Sequence, residues 1–248
     1  VLARILDRKT LRVGYDPRNI PFCFLNLKHE IVGYDIAYAY QLAKDLNVKL
    51  ELVPFSYDTL ASDINTGYYD LAMSAILVDE ERILKFQFST PYIEQYNVLV
   101  VPISRRNLFH DMNQVLQNPR LKIGAIGGYR DIVTSYFPDS LAFASNFDEL
   151  LKGDVDAMMW SELPAYIWCL AHPEHTTVSF NHSLGRNYFA YPCGATTEQF
   201  IHFLNEWLEL KEQQGFELKQ RQYWFLGKSQ IPENQRWSII RNLLHWVN

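Results

Sequence analysis

Short apolar runs recur along the first part of the chain and predict β-strands. Each brings aliphatic residues together over five to eight positions, a length typical of strands. The longest run is apolar at nearly every position, as in a strand buried on both faces of a parallel sheet. The runs are Leu11–Tyr15, Leu50–Phe55, Asp70–Leu77 and Val98–Ile103.

Helical spacing separates these runs. In the segment 35–47 the apolar positions follow a 3.6-residue period, and the predicted buried stripe comprises Ile36, Ala39, Tyr40, Ala43 and Leu46. A shorter helix is predicted to be capped by Ser56 or Asp58 and to end at Gly67. The order strand, helix, strand, helix, strand predicts an α/β unit.

The same alternation restarts further along the chain. Strands are predicted at 121–126, 155–160 and 188–195. Helices are predicted at 131–137, 161–171 and 196–222, the last broken near Gly215. Asn146 and Glu149 resemble a capping box before a short helix that ends at Gly153. Two α/β units with a late segment left over predict a chain that crosses between two lobes and returns.

The ends of the predicted strands mark the candidate binding segments. In open α/β sheets, ligands bind beyond the carboxyl ends of the strands. The segments that follow predicted strands are 16–22, 56–57, 74–82, 127–131 and 160–162.

Composition and charge narrow the class of partner. The chain has 248 residues, 48% of them hydrophobic, with 23 basic and 28 acidic residues and a net charge of -5. Without a basic excess, nucleic acid is not an expected partner. Cys23, Cys169 and Cys193 show neither a disulfide framework nor a paired zinc motif, so they do not fix the compartment. No signal peptide or membrane-spanning run is visible, so we expect a mature form or a domain of a longer protein.

Several motifs, taken in order, resemble one protein family. They are LRVGYDPRNIPFCF, GYDIAYAYQLAKDLNVKLELVPFSYDTL, NTGYYDLAMSAILVDEERILKFQFSTPY, KIGAIGG and GDVDAMMWSELPAY. Together they resemble the family 3 bacterial extracellular solute-binding proteins, which serve polar amino-acid transporters. The resemblance extends from about Leu11 to Gly227.

The resemblance implies a two-lobed α/β fold of the periplasmic-binding-protein type (type II). Each lobe is then a mostly parallel sheet flanked by helices, and two hinge strands join the lobes. By analogy, lobe one comprises 1–97 and 191–228, lobe two comprises 98–190, and 229–248 forms a C-terminal helical tail. In the family the ligand lies between the lobes and closure buries it.

The resemblance also assigns ligand contacts in lobe one. Arg82 matches the arginine that grips the ligand's carboxylate, a role suited to a planar fork that donates two parallel hydrogen bonds. The alternative is a surface arginine in the first turn of a helix. Tyr57 matches the aromatic residue that stacks on the ligand side chain; its alternative is a packing role at a helix start.

Four further positions in lobe one match or depart from the family pattern. Ser74 and Ala75 stand where the family presents hydroxyl and backbone groups to the ligand. Leu77 stands where the family usually has Thr or Ser, so one hydroxyl contact is missing. Asn19 replaces a frequent aromatic residue, which makes the floor of the expected site more polar.

In lobe two the expected contacts follow the strand at 121–126. Gly127 and Gly128 would let backbone N–H groups approach an anion at the start of a helix. Tyr129 follows them, and Arg130 stands where the family typically has Thr or Ser. If Arg130 points inward the site holds two guanidiniums; if it points outward it is a solvated arginine.

Ser161 is the largest departure from the family pattern. Many amino-acid binders carry Asp here to hold the ligand's ammonium, and an unpaired buried ammonium is costly. Either Glu162 takes that role, or the ligand is not a standard α-amino acid. Ser161 could equally serve only as a helix N-cap. With Arg82, this favours an anionic ligand such as a carboxylate.

Binding rather than catalysis is therefore the expected activity, without a cofactor or a metal. Cys169, His172 and His175 have metal-like spacing, but Pro173 interrupts the helix that would align them. We expect a periplasmic or extracytoplasmic protein with a small-molecule ligand and a membrane transporter or receptor partner, free, tethered or part of a larger membrane polypeptide. The rival is an enzyme, because cyclohexadienyl dehydratases have a similar sequence and fold; Glu162 or another carboxylate would then be the general acid.

Overall fold

The computed structural model describes residues 1–126, 129–143, 147–180 and 184–227. The chain divides into two compact units: unit 1 is Val1–Ile93 with the segment from Tyr188 onward, and unit 2 is Glu94–Asn187. The expected class, two α/β units in one chain, is confirmed. The family resemblance places the two crossings between the lobes at 97/98 and 190/191. In the structure the chain passes from unit 1 to unit 2 at 93/94 and returns at 187/188.

The elements of the described residues follow the predicted alternation. The helices are α1 (Leu2–Arg8), α2 (Tyr34–Asp45), α3 (Leu60–Thr66), α4 (Glu80–Ile83), α5 (Met112–Leu116), α6 (Tyr129–Tyr136), α7 (Asp148–Lys152), α8 (Glu162–Ala171), α9 (Glu198–Gln213) and α10 (Phe216–Trp224), with a 3₁₀ helix at Ile103–Phe109. The strands are β1 (Thr10–Tyr15), β2 (Arg18–Asn19), β3 (Cys23–Leu25), β4 (Ile31–Val32), β5 (Lys49–Pro54), β6 (Leu71–Ala72), β7 (Gln87–Phe88), β8 (Ile93–Pro102), β9 (Ile123–Ala125), β10 (Leu141–Phe143), β11 (Ala157–Ser161), β12 (His175–Val178), β13 (Arg186–Phe189) and β14 (Pro192–Cys193).

Unit 1 is built on a five-stranded sheet in the order β5-β1-β6-β14-β7. β1 is parallel to both β5 and β6, whereas β14 runs antiparallel to β6 and β7. One part of its core is formed by Val53, Leu60, Ile64, Tyr69 and Ile76. Because β1 and β6 are parallel neighbours, the segments that follow them emerge at the same edge of the sheet.

Unit 2 has a six-stranded sheet in the order β10-β9-β11-β8-β12, with β13 also paired to β8. β9 is parallel to β10 and β11, and β8 runs antiparallel to β11 and β12. Apolar side chains from its two faces form separate clusters, one around Leu99 and Ile123 and one around Val100 and Met158.

The predicted strand at 70–77 is wrong in length, because only Leu71–Ala72 are extended in the sheet. Asp70 precedes the strand and accepts a hydrogen bond from the Arg12 backbone N–H at 2.9 Å. Ala75 has a φ of 49°, in the left-handed region, so the chain turns instead of continuing as a strand. The apolar run at 70–77 therefore contains a short strand followed by a turn at Ala75.

The predicted helices need smaller corrections. Tyr40 is 59% exposed rather than part of the buried stripe, while Ile36, Ala39 and Ala43 are buried as predicted. The N-cap of α3 is Thr59, not Ser56 or Asp58.

The residues that end the helices follow the prediction. Gly67 and Gly153 adopt the left-handed conformation at the ends of α3 and α7, and Gly215 does so between α9 and α10. Phe147 is the N-cap of α7, and Asn146 lies outside the described residues. The single strand predicted at 188–195 is two strands, β13 and β14.

The first helix is tied to the sheet of unit 1 through Asp70, whose side chain is fully buried. Arg4 Nη2 donates to Asp70 Oδ1 at 2.9 Å, and Arg8 Nη2 donates to Asp70 Oδ2 at 2.5 Å. Two guanidiniums and the Arg12 amide thus surround one buried carboxylate, which satisfies its hydrogen-bonding capacity away from water.

Two expectations concern the membrane and the end of the chain. No helix among the described residues is both long and apolar enough to cross a membrane. The predicted tail at 229–248 lies outside the residues described above.

Candidate functional site

The segment after β6 and the segment after β1 are joined through Ser74, which is fully buried. Ser74 Oγ accepts from the Asp16 backbone N–H at 3.1 Å and donates to the Asp16 carbonyl at 3.0 Å. Asn19 Nδ2 donates to the Ser74 carbonyl at 2.8 Å and approaches Ser74 Oγ at 3.2 Å. The predicted contacts Asn19 and Ser74 are therefore neighbours in one cluster.

Arg82 lies in the short helix α4, and Asp79 fixes its position. Asp79 is the N-cap residue, and its Oδ1 accepts from the Arg82 backbone N–H at 2.8 Å. Arg82 Nη1 donates to the Leu77 carbonyl at 3.2 Å and is also bonded to Asp79 Oδ2. Within the described ranges, Arg82 Nε and Nη2 have no hydrogen-bond partner, although the side chain is only 22% exposed.

Tyr57 lies beside this guanidinium. Arg82 Cζ is 5.6 Å from the centroid of the Tyr57 ring, within the range of a cation–π contact. The Tyr57 ring packs edge-on against Phe55 with centroids 5.3 Å apart, and Tyr57 remains 40% exposed. Asn19 Nδ2 is 3.5 Å from the Tyr57 hydroxyl. An exposed aromatic ring therefore lies beside the Arg82 guanidinium.

A second arginine in unit 1 pairs with a buried carboxylate through two of its side-chain nitrogens. Arg18 Nε and Nη2 each donate to Asp16 at 2.8 Å, and Asp16 is 3% exposed. The hydrogen bonds to Asp16 raise the pKa of Arg18 above its usual value. Two guanidiniums and two carboxylates thus lie around Asn19, Ser74 and Tyr57. Their charges balance in pairs.

Unit 2 contains a polar cluster of a different kind, around Ser161. Ser161 Oγ is 2.8 Å from the Tyr129 hydroxyl and accepts from Asn187 Nδ2 at 2.9 Å. Asn187 Nδ2 also donates to Asn97 Oδ1, and Asn97 Nδ2 donates to the Leu184 carbonyl at 2.9 Å. These four side chains are neutral, and Asn97, Ser161 and Asn187 are buried. Ser161 is the N-cap of α8 by position, but its side chain makes no capping hydrogen bond.

The other residues predicted in lobe two differ in their exposure. Tyr129 begins α6 and is half-buried, whereas Arg130, the next residue, is exposed. Glu162 begins α8 and is exposed. Gly127 and Gly128 lie outside the described residues.

The cysteine and histidines with metal-like spacing are held by other contacts. The rings of Trp168 and His172 stack with centroids 3.8 Å apart, and His175 Nδ1 is 3.1 Å from Glu174 Oε1. Among the residues with described positions, no group of three or more His, Cys, Asp or Glu is arranged to hold a metal ion.

The sequence profile of the bacterial extracellular solute-binding proteins, family 3, matches residues 11–226. The chain belongs to this family. Members of the family are solute-binding proteins of the extracellular or periplasmic space, and the predicted family is confirmed.

Relatives of the chain include both binding proteins and an enzyme. The chain is 27% identical over 232 residues to the cyclohexadienyl dehydratase of Pseudomonas aeruginosa, covering 90% of this chain and 85% of that protein.

Two solved structures of binding proteins are also similar to this family 3 chain. One is an ancestral amino acid-binding protein, a precursor of cyclohexadienyl dehydratase, with a TM-score of 0.79, 27% identity and coverage of 90% and 99%. The other is an amino acid ABC transporter substrate-binding protein from Streptococcus pneumoniae bound to L-arginine, with a TM-score of 0.76, 26% identity and coverage of 88% and 94%.

The structure brings together the residues that the family resemblance assigned to lobe one. Asn19, Tyr57, Ser74 and Arg82 are linked by direct contacts, and the Leu77 carbonyl holds Arg82.

Ala75 continues the same loop and donates its N–H to Asp35. The sequence analysis placed Asp16 and Asp79 within the candidate segments 16–22 and 74–82 without assigning either a role, and it did not place Asp35 in the site.

Proposed function

We propose that this family 3 protein binds the carboxylate group of a small amino acid or related organic anion through Arg82. The observation that supports the proposal is the Nε and Nη2 edge of Arg82, which has no hydrogen-bond partner among the described residues on a side chain that is 22% exposed. A bound carboxylate would supply acceptors for these charged donors. The two oxygens of a carboxylate match the two donors of this edge.

The neighbours of Arg82 define what else the ligand meets. Asp79 and Leu77 hold Nη1, so the free edge is presented in one orientation. The exposed ring of Tyr57 offers an apolar face for the ligand's side chain. Because Asp79 balances the charge of Arg82, affinity depends on the geometry of two hydrogen bonds more than on net charge.

Transport or sensing outside the cytoplasmic membrane is the biological role that we propose. Family 3 proteins are extracellular or periplasmic, and structurally similar proteins belong to amino acid ABC transporters. A membrane transporter or receptor is the proposed partner, with the binding protein free, lipid-tethered or part of a larger membrane polypeptide.

The test is a binding screen with matched arginine variants. The twenty amino acids, dicarboxylates and cyclohexadienyl carboxylic acids are screened by thermal shift, and hits are measured by calorimetry. Arg82→Ala is expected to weaken the best hit at least 100-fold, because it removes a bidentate charged contact. Arg12→Ala is the control, since Arg12 pairs with the exposed Glu51 at 2.9 Å and is expected to change affinity less than twofold. Unchanged affinity in folded Arg82→Ala protein would refute the proposed contact.

A dehydratase is the second candidate, favoured by the 27% identity to a cyclohexadienyl dehydratase across most of both chains. Glu162 is the proposed general acid in that case. Its exposed position at the start of α8 argues against this role, because a general acid at neutral pH is usually tuned by burial or by a neighbouring charge. Incubation of each hit with the protein, followed by chromatography, decides between the two. Turnover that is lost in Glu162→Gln establishes the enzyme, and recovery of unchanged ligand supports the binder.

A further inference from the structure

Asp35 is a buried carboxylate that the proposed binding contacts do not use. It lies in the first turn of α2 and is fully buried. Its Oδ2 accepts from the Ala75 backbone N–H at 2.7 Å and from the Tyr92 hydroxyl at 2.8 Å, and its Oδ1 accepts from the Tyr191 hydroxyl at 3.0 Å. In the described part of the chain, no lysine, arginine or histidine pairs with it. A buried anion held only by neutral donors is costly, which suggests that it serves a purpose.

The backbone that Asp35 holds is in a conformation that alanine rarely adopts. Ala75 has a φ of 49°, in the left-handed region, where a residue with a Cβ is strained. Ser74, directly before it, bonds to Asp16 and Asn19, and Leu77, two residues later, supplies the carbonyl that holds Arg82. The left-handed turn at Ala75 therefore connects the two halves of the proposed anion site.

We propose that Asp35 is a positioning residue for the anion site: by accepting the Ala75 N–H, it holds the loop 74–77 in the turn that presents Ser74 and orients Arg82. This inference rests on the proposed function for its effect on affinity. The geometric part, that Asp35 holds this turn, stands without a ligand.

The surroundings of Asp35 make this positioning dependent on pH. Burial raises the pKa of Asp35 to about 7, although the hydrogen bonds from Ala75, Tyr92 and Tyr191 oppose the shift. The titratable groups that face it are Tyr92, Tyr191, Tyr34, Tyr38 and Cys23, and burial raises the pKa of each of them. Near neutral pH, Asp35 is therefore the member of this group that changes charge, and its protonation weakens the bond to the Ala75 N–H.

A competing effect has the opposite sign. An ionised Asp35 would repel an anionic ligand, so protonation could strengthen binding instead. Arg82, Asp16 and Arg18 all act electrostatically on Tyr57, at the site itself. Because the two arginines offset a repulsion of this kind, we expect the loss of the positioning hydrogen bond to decide the direction.

The first experiment needs no ligand. Protein labelled with ¹⁵N at alanine and arginine is followed by NMR between pH 5 and 8.5, with Ala75→Gly used to assign the Ala75 amide. We expect that amide to be protected from exchange and to shift with a midpoint near 7. In Asp35→Asn the midpoint should vanish, and in Asp35→Ala the Arg82 Nε–H signal should also move. An Ala75 amide that exchanges freely in the unaltered protein would refute the geometric part.

The second experiment uses L-arginine as the probe and measures its dissociation constant against pH. We expect affinity to fall about tenfold from pH 8 to pH 5.5, the difference between a charged and a neutral acceptor. Asp35→Asn should bind at the weaker level throughout, without pH dependence. Tyr191→Phe should shift the midpoint upward, because it removes a donor that stabilises the charged form.

The controls separate positioning from general destabilisation. Asp45→Asn alters the other end of the same helix, where Asp45 bonds to Trp207 and Lys211, and should leave affinity and its pH profile unchanged. Ala75→Gly should reduce the penalty of Asp35→Asn, because glycine adopts the left-handed turn without strain.

An affinity that rises at low pH, or an equal loss in Asp45→Asn, overturns the proposed role in binding. If L-arginine binds neither the unaltered protein nor the variants, L-arginine is not a ligand of this protein, and the NMR experiment decides whether Asp35 holds the turn.

Discussion

The polar cluster around Ser74 in unit 1 and the polar cluster around Ser161 in unit 2 are built from different kinds of polar group. Around Ser74 in unit 1, two carboxylates pair with two guanidiniums, and in the part of the chain that the structure describes the Nε and Nη2 edge of Arg82 has no hydrogen-bond partner. Around Ser161 in unit 2, two asparagines and two hydroxyls, all neutral side chains, are joined by hydrogen bonds. Neutral side chains that hydrogen-bond to one another stabilise the backbone that carries them. A charged donor without a hydrogen-bond partner is suited instead to binding a ligand. The comparison favours unit 1 as the place of the proposed charge recognition.

The largest expected effect tests whether the Ser161 cluster is structural. Asn187→Ala should lower the free energy of unfolding by about 3 kcal/mol, because Asn97 Oδ1 loses its donor in a buried environment. Urea unfolding followed by tryptophan fluorescence measures the change, with the exposed Asn113→Ala as control at about 0.5 kcal/mol or less. A loss as small as that of the control would mean that the neutral cluster contributes little.

A pair of serine variants sharpens the comparison directly. Ser74→Ala and Ser161→Ala each remove a buried hydroxyl with two partners, so each should cost about 2 kcal/mol of stability. Only Ser74→Ala should also weaken ligand binding, because Ser74 joins the segments that carry Asn19 and Arg82. Equal losses of affinity, measured by calorimetry, would remove the distinction between the two clusters.

The smallest expected effect concerns pH and stability. The folded-state pKa of Asp35 is raised to about 7, so the folded state binds more protons than the unfolded state below that value. Lowering the pH from 8 to 6 should therefore stabilise the protein, relative to Asp35→Asn, by about 1.4 kcal/mol. The same protonation should weaken ligand binding. A lower pH should therefore raise the free energy of unfolding and lower the affinity, which separates the positioning role of Asp35 from its effect on folding. A difference between the two proteins that does not change with pH would contradict the raised pKa.

The sequence predicted the alternation of strands and helices well, because hydrophobic period and glycine position are local properties. The helix ends at Gly67 and Gly153 and the break at Gly215 follow from the freedom of glycine to adopt positive φ. The turn at Ala75 could not be predicted in this way. Nothing in the run Leu71–Leu77 marks it, since the carboxylate that holds it comes from residue 35, forty positions earlier.

The candidate site shows the same limit. Arg82, Tyr57, Ser74 and Asn19 came from a family resemblance, and their mutual contacts came from the fold. The resemblance could not show that Asp79 already pairs with Arg82, or that Arg18 is a second guanidinium that acts on Tyr57. Those facts depend on side-chain direction after a turn, which a one-dimensional pattern does not carry.

The buried Asp70 has a practical consequence for anyone who prepares this protein. Arg4 and Arg8 both donate hydrogen bonds to Asp70. A variant that starts after Lys9 would therefore leave the buried Asp70 carboxylate with the Arg12 backbone N–H as its remaining donor among these three. Truncated variants and fusions should therefore keep the helix Leu2–Arg8 intact. If a variant without this helix precipitates on expression, the loss of the Arg4 and Arg8 contacts to Asp70 explains the result. It then carries no information about the proposed binding site.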